Sequence, residues 1–308
     1  MRLFRSILVP LDGSSFAEQA VPLAVDLARR AGALLQVVMV YEPLPVWAMS
    51  LEVPQIDPAF DREARQRSRA YLDGIVARLK AEANVPVSGA VLEGPVASTI
   101  GEQVRDTAAD LVVMTTHGRG PLTRFWVGSV ADRLMRTLTV PLLLVRPKEG
   151  AVAPAPPMRK VMVPLDRSPF GERVLEAAEA FASVSGASLL LAYVLEPVLP
   201  ILDPVMTPTV PLDGALREQL RQQAEAYLSA MVSRLAKGGI KAEARLIEAP
   251  GAASGLLELA VQERVDLIAM ATHGEGGARR LLLGSVADKV VRGSEVPVLV
   301  LRPESPEA

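Results

Sequence analysis

Apolar residues along this chain follow two rhythms, short unbroken runs and stripes at helical spacing. Arg5–Pro10 is an apolar run closed by a proline and reads as a buried strand. Ser14 and Ser15 offer an N-cap to a helix over Phe16–Ala31, where Ala17, Val21, Ala24 and Ala28 share a face. Pro22 inside that helix predicts a kink. Leu34–Val40 reads as a second strand, and Ala59–Ala83 as a long charged helix with Tyr71, Ile75 and Leu79 in register. Strands are expected at Val85–Leu92, Leu111–Thr115 and Val140–Val145, with helices at Ala97–Ala108 and Ser129–Thr137.

The whole series then starts again. Ile7–Asp12 returns as Val161–Asp166, and Gly32–Pro43 as Gly186–Pro197. Thr116–Pro147 aligns without a gap on Thr272–Pro303, with 16 of 32 positions identical. A long helix around Leu216–Lys237 and a final strand at Val296–Leu301 complete the second copy. A period this long excludes a solenoid and leaves two sequential domains. The expected division is residues 1–147, a proline- and alanine-rich spacer at 148–157, a second domain at 158–303, and a tail at 304–308. Strands rich in Val, Ile and Leu that alternate with helices argue an α/β class, each domain a doubly wound parallel sheet covered on both faces.

Composition narrows the functional classes. Half of the 308 residues are hydrophobic, net charge is −2, and there is no cysteine. Disulfides, thiolate chemistry and cysteine metal sites are excluded, and the basic surplus of a nucleic-acid partner is absent. The apolar runs are far shorter than a membrane span, and no secretory leader pattern opens the chain. The expectation is a soluble, cytoplasmic protein with neither a nucleic-acid nor a membrane partner.

Candidate chemistry gathers where strands end. Gly118 and Gly274 each precede, by the same distance, a Gly-Ser pair that opens a helix: Gly128-Ser129-Val130 and Gly284-Ser285-Val286. Unpartnered amides at a helix start, reached through a glycine loop, suit phosphate oxygens. Ordinary helix capping, with Ser129 an N-cap or N1 residue and Gly128 a turn glycine, is the competing reading. No Gly-Lys-Ser/Thr loop is present, and Thr123 and Arg279 spoil a G-x-G-x-x-G fingerprint. Asp12 and Asp166, just past the first strand, suit a ribose or an adenine amine, or else cap the next helix. His117 and His273 are the only histidines, and no base-and-nucleophile constellation accompanies them. Arg119 faces Glu275 across the two copies, which favours anion binding in the first. Pro43–Pro58 and Pro197–Pro211 are apolar, proline-rich segments that fit lids, interface patches or packing on their own helices. Sheets of this class bind ligands at the carboxyl ends of the strands.

Taken together, Val-Pro-Leu-Asp, the Thr-His-Gly loop, Gly-Ser-Val-Ala-Asp and the closing Val-Pro strand resemble the universal stress protein family, in its tandem two-domain form. Of the family's G-x-x-G-x9-G-[ST] motif, Gly118, Gly128 and Ser129 match, as do Gly274, Gly284 and Ser285; Thr115 and Ala271 stand in place of the first glycine. The resemblance implies five-stranded parallel sheets in order 3-2-1-4-5, and an internal pseudo-dimer paired through the last strands, with or without a further homodimer. It also implies ATP as cofactor, with or without Mg2+. Adenosine would lie against Pro10, Leu11, Asp12, Val40, Met114 and Thr115, with phosphates on Gly118, Arg119, Gly128, Ser129 and Val130. The second copy offers Pro164, Leu165, Asp166, Val194, Met270, Ala271, Gly274, Gly284, Ser285 and Val286. The function implied is a nucleotide-binding stress-response module; a slow ATPase or phosphotransferase and a nucleotide-free scaffold are the alternatives.

Overall fold

Strand β1 (Ser6–Leu11) carries Ile7, Leu8 and Val9 with no solvent exposure, as a strand covered on both faces requires. In a computed structural model of the chain, the structure describes residues 4–43, 58–117, 127–150, 153–196, 214–272 and 284–302. The first repeat continues α1 (Ser15–Glu18), α2 (Val21–Ala31), β2 (Leu34–Tyr41), α3 (Pro58–Glu82), β3 (Val87–Glu93), α4 (Val96–Asp106), β4 (Leu111–Thr115), α5 (Ser129–Thr137) and β5 (Leu142–Val145). The second runs β6 (Lys160–Pro164), α6 (Pro169–Ser185), β7 (Ser188–Leu195), α7 (Gly214–Lys237), β8 (Ala242–Glu248), α8 (Ala252–Gln262), β9 (Leu267–Ala271), α9 (Ser285–Gly293) and β10 (Val298–Leu301).

The chain separates into two units, Met1–Pro157 with Pro297–Ala308, and Met158–Val296. In the first unit the strands lie in the order β3-β2-β1-β4-β5-β10. The first five are parallel, while β10 runs antiparallel to β5 with Leu299 opposite Leu143. The second unit holds β8-β7-β6-β9, all parallel. The fifth strand of the second copy thus lies in the unit built by the first. There its apolar Val298, Leu299 and Val300 are buried and cover β5, which would otherwise present an open apolar edge.

The two copies share their register. Pro10 pairs with Val38 in one and Pro164 with Ala192 in the other, so each first strand carries a proline within its last two residues. A carboxylate braces each β1-type strand where it starts. Asp110 accepts the Arg5 and Ser6 amides at 2.7 and 3.1 Å, and Asp266 accepts those of Arg159 and Lys160 at 2.8 and 3.0 Å.

Helix one departs from expectation. Instead of a kinked helix over Phe16–Ala31, the first repeat has two helices, with Ala20 as the N-cap of α2 and Pro22 in its first turn. Proline has no N–H to donate and its ring clashes with the carbonyl four residues back, here Glu18, the last residue of α1. A break before the proline relieves both. The second repeat carries Glu176 at that position, and α6 runs unbroken for 17 residues.

Candidate functional site

In the second unit the carboxyl ends of β6, β7 and β9 and the N-termini of α8 and α9 surround a cavity of about 600 Å³. Pro164, Leu165 and Asp166 form the wall from β6, Val194 that from β7, and Met270 and Ala271 that from β9. Gly284, Ser285 and Val286 bring in the start of α9. Nine of the ten second-copy residues singled out from sequence therefore line one space; the tenth, Gly274, lies outside the described residues. His273, Glu275 and the segment Pro197–Pro211 lie outside them as well.

The first copy sets the corresponding residues at the same points of its fold. Pro10 and Leu11 end β1, Asp12 follows, Val40 is on β2, Met114 and Thr115 close β4, and Gly128, Ser129 and Val130 open α5. Gly118, Arg119 and most of Pro43–Pro58 are outside the described residues.

The anion site differs from the sequence expectation in one respect. Gly128 and Gly284 are the N-cap residues of α5 and α9, but their amides already donate to the carbonyls of Thr116 and Thr272, at 2.8 and 2.7 Å. These bonds tie the start of each helix to the end of the preceding strand. The side-chain-free geometry follows: a Cβ on Gly128 would lie 3.1 Å from the Thr116 oxygen. Ser129 and Ser285 are N1 residues, not caps, and neither helix has a side-chain cap. The amides of the first helical turn, Ser129-Val130 and Ser285-Val286, have no carbonyl within their helix to bond, and the helix dipole makes that end electropositive. The one acid in each first turn, Asp132 or Asp288, is bonded to Arg136 or Arg292 four residues on, which offsets its repulsion of an anion.

Asp12 and Asp166 do not cap directly. Asp166 Oδ1 accepts the Ser168 amide at 3.0 Å and its hydroxyl at 2.6 Å, and Ser168 Oγ in turn accepts the Gly171 amide at 2.8 Å. Asp12, Ser14 and Ala17 repeat the relay at 2.9, 2.6 and 3.1 Å. The carboxylate orients the serine, and the serine caps the helix. Thr115, in place of the family's glycine, is buried and turns its hydroxyl to the His117 carbonyl at 2.6 Å. His117 is buried too, with Nδ1 hydrogen-bonded to the Thr116 hydroxyl at 3.0 Å.

A second layer stands behind each relay. Tyr227 on α7 donates to Glu172 on α6 at 2.9 Å, and Tyr71 on α3 donates to Glu18 on α1 at 3.1 Å. Burial pushes both phenols well above the ordinary tyrosine range, and the glutamate beside each adds to the shift.

Several lining residues were not singled out from sequence: Tyr193, Glu196, Gly171 and Thr272 among them. Glu196 accepts the Ala252 amide at 2.6 Å and so closes the α8 N-terminus at the cavity rim. Its repeat as Glu42-Pro43 and Glu196-Pro197 was the visible signal. Among the described residues, no cluster of three His, Asp or Glu has metal-binding spacing, and no helix is long and apolar enough to cross a membrane.

The family model described as "Universal stress protein family" matches this chain twice, at residues 3–146 and 157–302. Universal stress protein Rv1996 of Mycobacterium tuberculosis is 27% identical over 318 residues, covering 97% of this chain and 96% of the relative. Universal stress protein Rv2005c of the same organism is 31% identical over 198 residues, an alignment that spans 63% of this chain and 62% of that protein. Among solved structures, a universal stress protein from Archaeoglobus fulgidus superposes with a TM-score of 0.69 at 19% identity, over 98% of this chain and 97% of that one, a likeness of fold. The duplicated match, spanning nearly all of both copies, makes this chain a member of the universal stress protein family with two tandem domains.

Proposed function

We propose that the chain is a nucleotide-binding stress-response module that holds ATP at the strand ends, and that it acts by binding rather than by turnover. What supports this reading most is that nine residues named from the sequence and its resemblance line one cavity, against the uncapped start of α9. Apolar Pro164, Leu165, Val194 and Met270 offer an adenine a dry wall, and Asp166 offers a hydroxyl acceptor. The Ser285 and Val286 amides and the Ser285 hydroxyl hold phosphate oxygens, in place of the glycine amide expected from sequence. Mg2+, where required, arrives with the phosphates. The antiparallel ladder of Leu142–Leu144 with Val298–Val300 supports the further proposal that the two repeats pair through their last strands.

Native mass spectrometry of the gently purified protein, with calorimetry on added ATP, tests the reading. Bound ATP supports it, ADP with measurable turnover favours an ATPase, and the absence of any nucleotide or binding favours a scaffold. Ser285→Asp sharpens the test. An acid at N1 stabilises a helix by about 0.3–1 kcal/mol, so the fold holds. The same charge repels phosphate, and ATP affinity is expected to fall about tenfold or more while adenosine affinity stays the same. Equal losses for ATP and adenosine would remove the phosphate from this helix end.

A further inference from the structure

The two copies line their strand-end spaces differently, and four of the differences run the same way. Where the second copy has Gly171, Ala192, Ala252 and Ala271 around its cavity, the first has Ala17, Val38, Val96 and Thr115. These positions correspond in place as well as in sequence. Ala192 and Val38 are the register partners of the strand-end prolines. Gly171 and Ala17 both donate their amide to the capping serine. Ala252 and Val96 are the first residues of α8 and α4, and Ala271 and Thr115 the last of β9 and β4. Each of these four exchanges adds side-chain atoms to the first copy, as does Tyr41 in place of the lining residue Leu195.

Gly171 shows the effect most directly. A Cβ built there would lie 2.6 Å from Asp166 Oδ1 and 3.0 Å from Ser168 Oγ, so the helix approaches the carboxylate only because the side chain is missing. In the first copy Ala17 carries that Cβ, and its amide stands 3.1 Å from its serine rather than 2.8 Å. At the last strand residue, Thr115 brings a buried hydroxyl and methyl where Ala271 leaves only a methyl on the wall. One exchange opposes the trend: Tyr193 lines the second cavity where the first copy has Met39. A flat ring there enlarges the wall available for stacking against a base.

We infer that the two repeats are not equivalent sites: the second repeat is the seat of a single tight nucleotide per chain, and Ala192, Ala252 and Ala271 determine this by leaving room for the base and sugar, with Gly171 leaving the Asp166 carboxylate undisturbed beside them. The inference rests on the nucleotide reading above. It sets room at the wall above the Arg119-for-Glu275 exchange, which in the sequence favours the first copy. Filling a packed wall with extra atoms forces a ligand out of register.

Calorimetric titration of the full chain with ATP decides it. One tight ATP per chain is expected. Ala271→Thr, which writes the first copy's residue into the second, should weaken that site about tenfold or more, and Ala192→Val should do the same. Near-UV circular dichroism of each variant reports whether the fold is kept; should one fail to fold, the other carries the test. In the first copy, Thr115→Ala combined with Val38→Ala should raise a second binding event toward the affinity of the first. Two equally tight ATP molecules in the unaltered protein would overturn the inference and leave the nucleotide reading standing, as would an Ala271→Thr variant that folds and binds as before. No ATP bound at all would overturn both.

Discussion

The first helical segments of the two repeats begin alike and end differently. In both, an aspartate fixes a serine and the serine caps a helix. The second then runs 17 residues from Pro169, while the first stops after four and restarts. Pro169 sits in the first turn after its cap, where its missing N–H is not needed; Pro22 lies too far past the Ser14 cap for one unbroken helix, and the chain restarts so that it falls in the first turn of α2. One residue type thus starts a helix in one copy and divides it in the other. What differs is its distance from the cap.

Three changes break or sharpen this comparison. The largest effect is expected from Glu176→Pro, which places a proline mid-helix at the position of Pro22. It should cost about 3 kcal/mol or more and lower the helical signal. A variant with unchanged helicity and urea midpoint would mean that the proline does not cause the break in the first repeat. Next, Ser168→Ala should destabilise by about 1–2 kcal/mol, because its buried oxygen satisfies the start of a long helix. Ser14→Ala should cost less, since α1 has four residues to lose. Equal shifts in chemical denaturation would contradict that ranking. The smallest effect concerns the tyrosine pair. Tyr71→Phe and Tyr227→Phe should each cost about 1 kcal/mol near neutral pH.

The tyrosines also make a statement about alkali. Each phenol is held above its unfolded value of about 10, chiefly by burial, so the folded state favours the protonated ring. That contribution is fully present below about pH 10 and is lost as pH rises through the raised folded value. Two of the four tyrosines should therefore resist ionisation in a spectrophotometric titration of the native protein. The alkaline fall in stability should be shallower in the double phenylalanine variant. Four tyrosines that titrate together near pH ~10 would contradict it.

Much of the fold was legible because its causes are local. Leu111–Thr115 and Ser129–Thr137 occur as read, since an apolar run and a Gly-Ser start leave few other options. Pro22 marks a disturbance in the sequence but does not say whether the helix kinks or breaks, because that depends on whether a nearby residue, here Ala20, takes the role of cap. At the site, residue types were legible and their bonds were not. Gly128 looked like a phosphate donor and instead bonds Thr116, a pairing that depends on where β4 ends. Ser129 fits either the cap or the first helical position in the sequence, and the structure gives it the first helical position, with Gly128 as the cap. Tyr193 and Gly171 carried no motif, and only the closing of strands and helices around the space gave them a place in it.

By itself the sequence determined the duplication, the order of elements, and the glycine-to-helix junctions, because repetition and periodicity are properties of a string. Only the tertiary structure decided which unit takes β10, which amides are already bonded, and which side chains share the cavity. Those depend on hydrogen bonds and contacts between residues far apart in the chain, and a buried donor or surface bonds with whatever the fold brings to it.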